Sequence, residues 1–168
     1  CVTVPTVFLL GGCFMRRFLS ALFIFISLLS IFSVVQATPR LMVLPNDGFS
    51  SLEKSIDGAH TSVDLVMYGF TNYRLADALV RAHGRGVRVR VLLQHYPYKQ
   101  RGENREVIDM LRAHGVAVVW SNPRFAITHQ KTMVVDQKMA YIMTFNFTHS
   151  QGARNFAIQT DNVAVIKE

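Results

Sequence analysis

Cysteine is almost absent from this chain: of its 168 residues only Cys1 and Cys13 carry a thiol, and both precede Phe14. Beyond that point neither a disulfide framework nor a thiolate metal site is available, so the remainder must be held by its apolar core alone. Acidic side chains are also scarce, 11 against 18 Lys and Arg, for a net charge of +7. No group of carboxylates stands near His129 to hold Mg²⁺. No internal repeat and no low-complexity segment occurs, and the pairing of a histidine with a lysine two residues later, at His129 and Lys131, is found once.

The long apolar run that does occur is confined to the N-terminal part. Met15, Arg16 and Arg17 precede "FLSALFIFISLLSIFSVVQA", which ends in the small residues around Ala37. A basic start, an apolar middle and a small-residue end are the layout of a secretory signal peptide over residues 15–37. The competing reading is an uncleaved membrane anchor, because the run is nearly long enough to span a bilayer. Residues 1–14 lie upstream of the start at Met15 and read as a leader. The expectation is an exported protein, periplasmic or secreted, whose residues 38–168 form one domain, with membrane contact only through the uncleaved segment. Arg16 and Arg17 leave 16 basic residues against 11 acidic ones after residue 37, a net +5. That balance suits nucleic acid or an anionic lipid as partner, and equally an ordinary solubilising surface.

From Arg40 onward short apolar runs alternate with amphipathic segments. "RLMVLPNDG" reads as a strand closed by a turn and "FSSLEKSIDGAH" as a helix stopped at Gly58. "TSVDLVMYGF" puts Val63, Leu65 and Met67 on one face at a period of two, while "NYRLADALVRAHGRG" spaces Leu75, Leu79 and Val80 as a helix does. "VRVRVLLQ" is a third strand, "ENREVIDMLRAHG" a helix ended at Gly115, and "VAVVW" a fourth strand. The pattern predicts an α/β fold, a mixed and mainly parallel sheet sandwiched between helices. After Trp120 come "AITHQKTMVVD", "KMAYIMTF" and "NVAVIKE", read as strands, the first two joined as a hairpin near Asp136, Gln137 and Lys138. The chain stops at Glu168 straight after a strand pattern with no covering helix, which reads as an incomplete C-terminus.

Chemistry concentrates in the first of those late strands. Side chains two apart on a strand share a face, so His129 and Lys131 project together. Two cations in one small, partly buried volume disfavour each other, unless an anion such as phosphate lies between them. Asp136, just past the strand, can fold back to hold an imidazole or balance the lysine. Asn146 adds an uncharged donor for a phosphate oxygen. By spacing alone, a solvated edge with incidental charges accounts for the pattern as well.

His129, Lys131, Asp136, Met143, Thr144 and Asn146 fall at the offsets of the phospholipase D superfamily signature, and the chain from about residue 40 resembles its small bacterial single-motif endonucleases. The resemblance implies that His129 is a nucleophile forming a covalent phosphohistidine on a phosphodiester. Lys131, Thr144 and Asn146 would grip the phosphate oxygens and Asp136 would support the site and orient a histidine, with no metal and no cofactor. Two departures stand out. Met143-Thr144 replaces the usual Gly-Ser, and Asp161-Asn162 takes the place of a supporting Glu-Asn pair. Nucleic acid is the expected substrate. A phospholipase or phosphatidyl transferase is the rival, and a weakened nucleic-acid-binding domain, suggested by Met143, a third reading.

In-line displacement by one imidazole needs a proton donor on the far side of phosphorus. The superfamily supplies it with two motif copies, whereas this chain has one. A homodimer sharing one active site at its two-fold axis would bring two copies of His129 face to face; His149 or His95 acting as the acid would instead permit a monomer. Elsewhere the histidines are less informative. His83 and His114 sit in A-H-G endings that suit helix C-termini, and His60 has no motif around it. "HYPYKQRGENR", residues 95–105, mixes aromatic and basic side chains in the manner of a nucleic-acid-contacting loop. "NFT" at 146–148 fits a glycosylation sequon, but Asn146 has the better explanation above.

Overall fold

The computed structural model describes residues 38–95, 97, 103–148 and 153–168. The segments read as leader and signal peptide, His149 and most of residues 95–105 therefore lie outside the described residues. Within them, β1 (Arg40–Leu44), α1 (Ser50–Asp57), β2 (Ser62–Met67), α2 (Tyr73–Gly84) and β3 (Arg88–Leu93) are followed by α3 (Glu103–Ala113) and β4 (Ala117–Trp120). The chain continues through β5 (Thr132–Val135), β6 (Met139–Met143), β7 (Asn155–Thr160) and α4 (Val163–Lys167). The strands form one seven-stranded sheet in the order β1-β7-β6-β5-β2-β3-β4. No described helix is long and apolar enough to cross a membrane.

The period-two runs do what their spacing predicts. Val63, Leu65 and Met67 of β2, with Val89, Val91 and Leu93 of β3, are buried against Leu52, Ile56, Leu75, Leu79, Ile108 and Leu111 of the first three helices. The Asn72 side chain accepts a hydrogen bond from Leu75 N at 3.3 Å and opens α2. Gly115, at φ 80, turns the chain out of α3 in a conformation that a side chain would resist. His83 lies in the last turn of α2, and His114 Nδ1 is 2.8 Å from Met110 O just past α3, the helix-end positions their surroundings predict.

The sheet is mixed, as expected, but the expectation that it is mainly parallel needs correction. Among the named strands of the described residues, parallel pairing is limited to β2 with β3 and β3 with β4, and one isolated parallel bridge joins Phe70 to Phe147. The other four pairings, β1–β7, β2–β5, β5–β6 and β6–β7, are antiparallel. A parallel neighbour needs a crossover, and helices supply one only up to β4. Beyond Trp120 the chain returns without one, and β5 runs back alongside β2. The β5–β6 hairpin is where the sequence puts it, with Asp136 and Gln137 at φ 55 and 54, the left-handed geometry of a tight hairpin turn.

"NVAVIKE" is corrected more sharply. Its residues form the short helix α4, capped by Asn162, whose side chain accepts from Ala164 N at 2.9 Å. Val163 and Val165 alternate but are 61% and 37% exposed, so the alternation builds no buried sheet face. The last strand is instead "NFAIQT", which pairs with both β1 and β6. Its inward residue Ala157 is too small to announce a core position, and Phe156 and Ile158 lie on the other face.

That other face is covered unequally. Leu41, Ile158, Ile142, Thr132, Val66, Leu92 and Val119 stand opposite one another across all seven strands in one register row. Among the described residues only α4 lies against it, with Val165 and Ile166 beside Val66, Thr132 and Ile142.

Candidate active site

The parallel strands β2, β3 and β4 all end on one edge of the sheet, where β5 begins and β6 ends. Tyr68, Gln94 and Ser121 follow those three strands directly. In open α/β sheets this carboxyl edge is where ligands bind. Residues 129–131 come just before β5, which starts at Thr132, so His129 and Lys131 sit in the extended lead-in to the strand and not on it. The ladder nonetheless reaches Lys131, since Met143 N donates to Lys131 O at 2.9 Å.

The structure brings His129 and Lys131 together around Tyr68. The imidazole packs edge-on against the phenol ring, with centroids 4.6 Å apart at 74°. Lys131 Nζ lies 5.4 Å from the centroid of the same ring and donates to His129 O at 2.9 Å. Lys131 shares the inward parity of Met133 and Val135 and is only 6% exposed; the His129 ring is open to solvent. Burial, with the nearby Lys131 charge as the lesser cause, lowers the His129 pKa below its ordinary value. Burial lowers that of Lys131 as well. A neutral imidazole is thus favoured beside an ammonium that forms no ion pair among the described residues. A buried cation without a counter-ion is costly, and a bound phosphate would relieve it.

Thr144 and Asn146 lie on the same edge, beyond the end of β6. Phe147 N donates to Gly69 O at 2.9 Å, and Phe147 O accepts from Thr71 N and Asn72 N at 2.7 and 2.9 Å, stitching this segment to the one that carries Tyr68. Asn146 is half-buried, and its Oδ1 has no hydrogen-bond partner. Thr144 Oγ1 accepts from Phe156 N at 2.9 Å and lies 3.2 Å from Asn155 Oδ1, so its hydroxyl is engaged with β7. Both residues line a cavity of about 450 Å³ together with Phe49, Glu53, Arg74 and Asn155. The Met143 side chain turns into the core at 7% exposure, where the small residue of the signature would leave space.

Asp136 does not join them. About 3.3 Å per extended residue puts it roughly 23 Å along the chain from His129, at the opposite end of β5. Its carboxylate accepts from His60 N (3.1 and 3.0 Å), Thr61 N (2.7 Å), Thr61 Oγ1 (2.9 Å) and Ser62 N (2.9 Å). Burial alone would raise its pKa, but those bonds from Ser62, Thr61 and His60 hold it well below the usual carboxylate range. Asp136 therefore ties the β5–β6 turn to the start of β2, and the expectation that it folds back onto an imidazole is corrected. Asp161 and Asn162 are likewise misplaced as site support: they follow Thr160, which pairs with Ala140 at the far end of β6 from Met143. Asn162 caps α4.

Three residues at the site escaped the motif. Tyr68 packs against both His129 and Lys131, and the buried amides Gln94 and Asn104 cross-link the strand ends beneath it. The available signal was position, since a polar or aromatic residue closing an apolar parallel strand stands at the ligand edge. His95 is exposed and packs on Trp120, with centroids 4.6 Å apart. Among the described residues, no group of three or more His, Cys, Asp or Glu is placed to hold a metal ion.

Comparison with known proteins agrees with this fold. The fold superimposes on the structure of Nuc, a phospholipase D family member from Salmonella typhimurium, with a TM-score of 0.70 at 24% identity, covering 79% of this chain and 88% of that one. NucT from Helicobacter pylori gives 0.67 at 22% identity, covering 79% and 90%. A curated relative, phospholipase D of Rickettsia conorii, is 30% identical over 117 residues, which is 70% of this chain and 54% of the relative. The chain thus spans about half the length of the curated relatives it matches. Residues 52–168 match the family model described as cardiolipin synthase, PLD-like domain, and the chain belongs to the phospholipase D superfamily.

Proposed function

We propose that this protein is an exported, metal-independent phosphodiesterase that cleaves nucleic acid through a covalent phosphohistidine on His129. The observation that carries the reading is the buried Lys131 ammonium, without a counter-ion among the described residues, beside a histidine biased toward its neutral form, both held against Tyr68. The neutral imidazole nitrogen attacks phosphorus and the ester oxygen leaves with its bonding electrons, taking a proton from an acid on the far side. Water then attacks the phosphohistidine, gives up a proton, and returns a phosphomonoester and free His129. Lys131 and Asn146 stabilise the charge that builds on the phosphate oxygens. Because one imidazole cannot act on both sides of phosphorus, the acid is His129 of the partner subunit in a homodimer with one shared site. The basic balance of the chain and the resemblance of its motif to the small single-motif endonucleases of the superfamily support nucleic acid as substrate.

A phospholipid substrate is the second reading. Phe125 and Ile127, 66% and 50% exposed on the loop leading to His129, form an apolar tip of the kind that enters a lipid interface, and the Rickettsia relative is named phospholipase D. Purified protein incubated in EDTA with single- and double-stranded DNA, RNA and anionic phospholipid vesicles separates the readings. Acid-soluble nucleotides support the first, released head group the second. Cleavage that EDTA abolishes and Mg²⁺ restores would overturn the mechanism, and tight nucleic-acid binding without turnover would reduce the protein to a binding domain.

A further inference from the structure

Beneath His129 and Lys131 lies a small lattice of buried polar side chains. Gln94, Asn104 and Ser121 are 7%, 2% and 7% exposed. Gln94 Oε1 accepts from Thr128 N at 2.8 Å and from Ser121 Oγ at 3.0 Å. Asn104 Nδ2 donates to Gln94 O and to Tyr68 O, both at 3.0 Å, and its Oδ1 accepts from Phe70 N at 2.7 Å. The backbone completes the frame, with Gln94 N donating to Met67 O at 3.2 Å and Ser121 N to Leu93 O at 2.8 Å. The ends of β2, β3 and β4 are thereby fixed to one another.

We infer that Gln94 is a positioning residue for His129. Residues 122–127 are exposed. Among the described residues, the sheet ladder does not take hold of this segment until Lys131 O accepts from Met143 N. Between these points His129 O accepts from Lys131 Nζ of the same segment, and the hydrogen bond from Thr128 N to Gln94 ties the backbone to another part of the fold, one residue before the nucleophile. The imidazole ring is placed by Tyr68, and Tyr68 O is tied to the same lattice through Asn104. Backbone and ring of His129 are thus both referenced to Gln94 and Asn104, which belong to elements distant in sequence.

The chemistry of the group fits the task. A carboxamide oxygen accepts two hydrogen bonds without bringing a negative charge near Lys131, so it holds the segment and leaves the ammonium available to phosphate. A nucleophile must lie within a few tenths of an ångström of its in-line position, and a displacement of about 1 Å costs roughly a hundredfold in rate. Freeing Thr128 N therefore lowers kcat and leaves KM, which reports on phosphate and substrate contacts, nearly unchanged.

The inference rests on His129 being the reacting group, and the test keeps the two apart. Gln94→Met preserves length and removes the acceptor, Gln94→Glu retains it, and Ser121→Ala deletes the other donor to the same oxygen. The full-length protein is studied by amide exchange at Thr128, by NMR titration of the His129 ring, and by steady-state cleavage. In Gln94→Met the Thr128 amide loses its protection, the His129 titration moves up toward the ordinary histidine value, and kcat falls about tenfold to a hundredfold with KM within about twofold. Gln94→Glu recovers Thr128 protection, and Ser121→Ala keeps wild-type values in all three readouts despite a lowered Tm. Unchanged Thr128 exchange and His129 titration in Gln94→Met, or equal losses in Ser121→Ala, would overturn the inference. A wild-type protein that cleaves no phosphodiester, yet shows the two NMR changes, removes the proposed function and leaves the role of Gln94 in fixing His129 standing.

Discussion

Replacing Asp136 separates the geometry of this chain most cleanly from the motif it carries. The signature groups Asp136 with His129 and Lys131, but the structure gives it to the backbone of His60, Thr61 and Ser62. Asp136→Ala strands three backbone N–H groups and one hydroxyl. Hydrogen bonds to a charged acceptor contribute about 1.5–3 kcal/mol each where fully buried. This carboxylate is only half-buried and water can replace part of the set, so the discounted loss is about 2–3 kcal/mol, or roughly 10 °C in Tm for a domain of this size. Asp136→Asn keeps a carbonyl acceptor and should lose about half as much.

The pH dependence follows from the depressed pKa. A carboxyl whose pKa is lower folded than unfolded adds stability above the unfolded value near 3.9, and that stability is lost as pH falls through the folded value. The difference between wild type and Asp136→Asn should therefore be constant from pH 5 to 8 and shrink below about pH 4. Differential scanning calorimetry across that range measures it, alongside kcat per folded molecule at 25 °C. The expected result is a lower Tm with kcat within about twofold of wild type. A variant with unchanged Tm and kcat reduced a hundredfold would refute the assignment and return Asp136 to the chemistry.

Lys131→Met should lower kcat/KM by about 10²–10³-fold, the loss expected on removing a preorganised charge from a phosphoryl transition state, while thermal stability holds or rises because a buried ammonium without a counter-ion among the described residues is gone. In wild type the acid limb of the kcat/KM profile should fall below the ordinary histidine value, since activity needs the neutral imidazole and burial and Lys131 both lower its pKa; in Lys131→Met that limb should move upward. Mixed dimers of wild-type and His129→Ala chains should be nearly inactive if the site is shared; half of the wild-type rate per dimer, or a fully active monomer by sedimentation equilibrium, would remove the shared site.

Much of the fold was legible because its signals are local. Val63, Leu65 and Met67 state their period in six residues, and Gly58 and Gly115 mark the helix ends. The pairing of His129 with Lys131 was legible for the same reason, as two residues of one extended segment must share a side. What spacing does not convey is which end of a strand a residue reaches. Asp136 stands seven residues from His129 in the motif and across the length of β5 in space, while Asp161 and Asn162 lie at the wrong end of β7. The swap of "NVAVIKE" for "NFAIQT" has a similar origin: five residues with alternating valines satisfy a strand pattern, but Asn162 can cap a helix, and Ala157 hides the buried face of the true strand. Gln94 and Asn104 carry no motif. Their roles emerge only when three strand ends meet.

The central claim is that His129 becomes covalently attached to phosphorus during turnover. A rapid-quench experiment in EDTA, with an oligonucleotide carrying ³²P at internal phosphates and an alkaline quench that preserves phosphohistidine, tests it directly. The account predicts transient protein-bound label that maps to His129, approaches one per dimer, and is absent from His129→Ala. Steady cleavage with no protein-bound label, or label on any other residue, would contradict it.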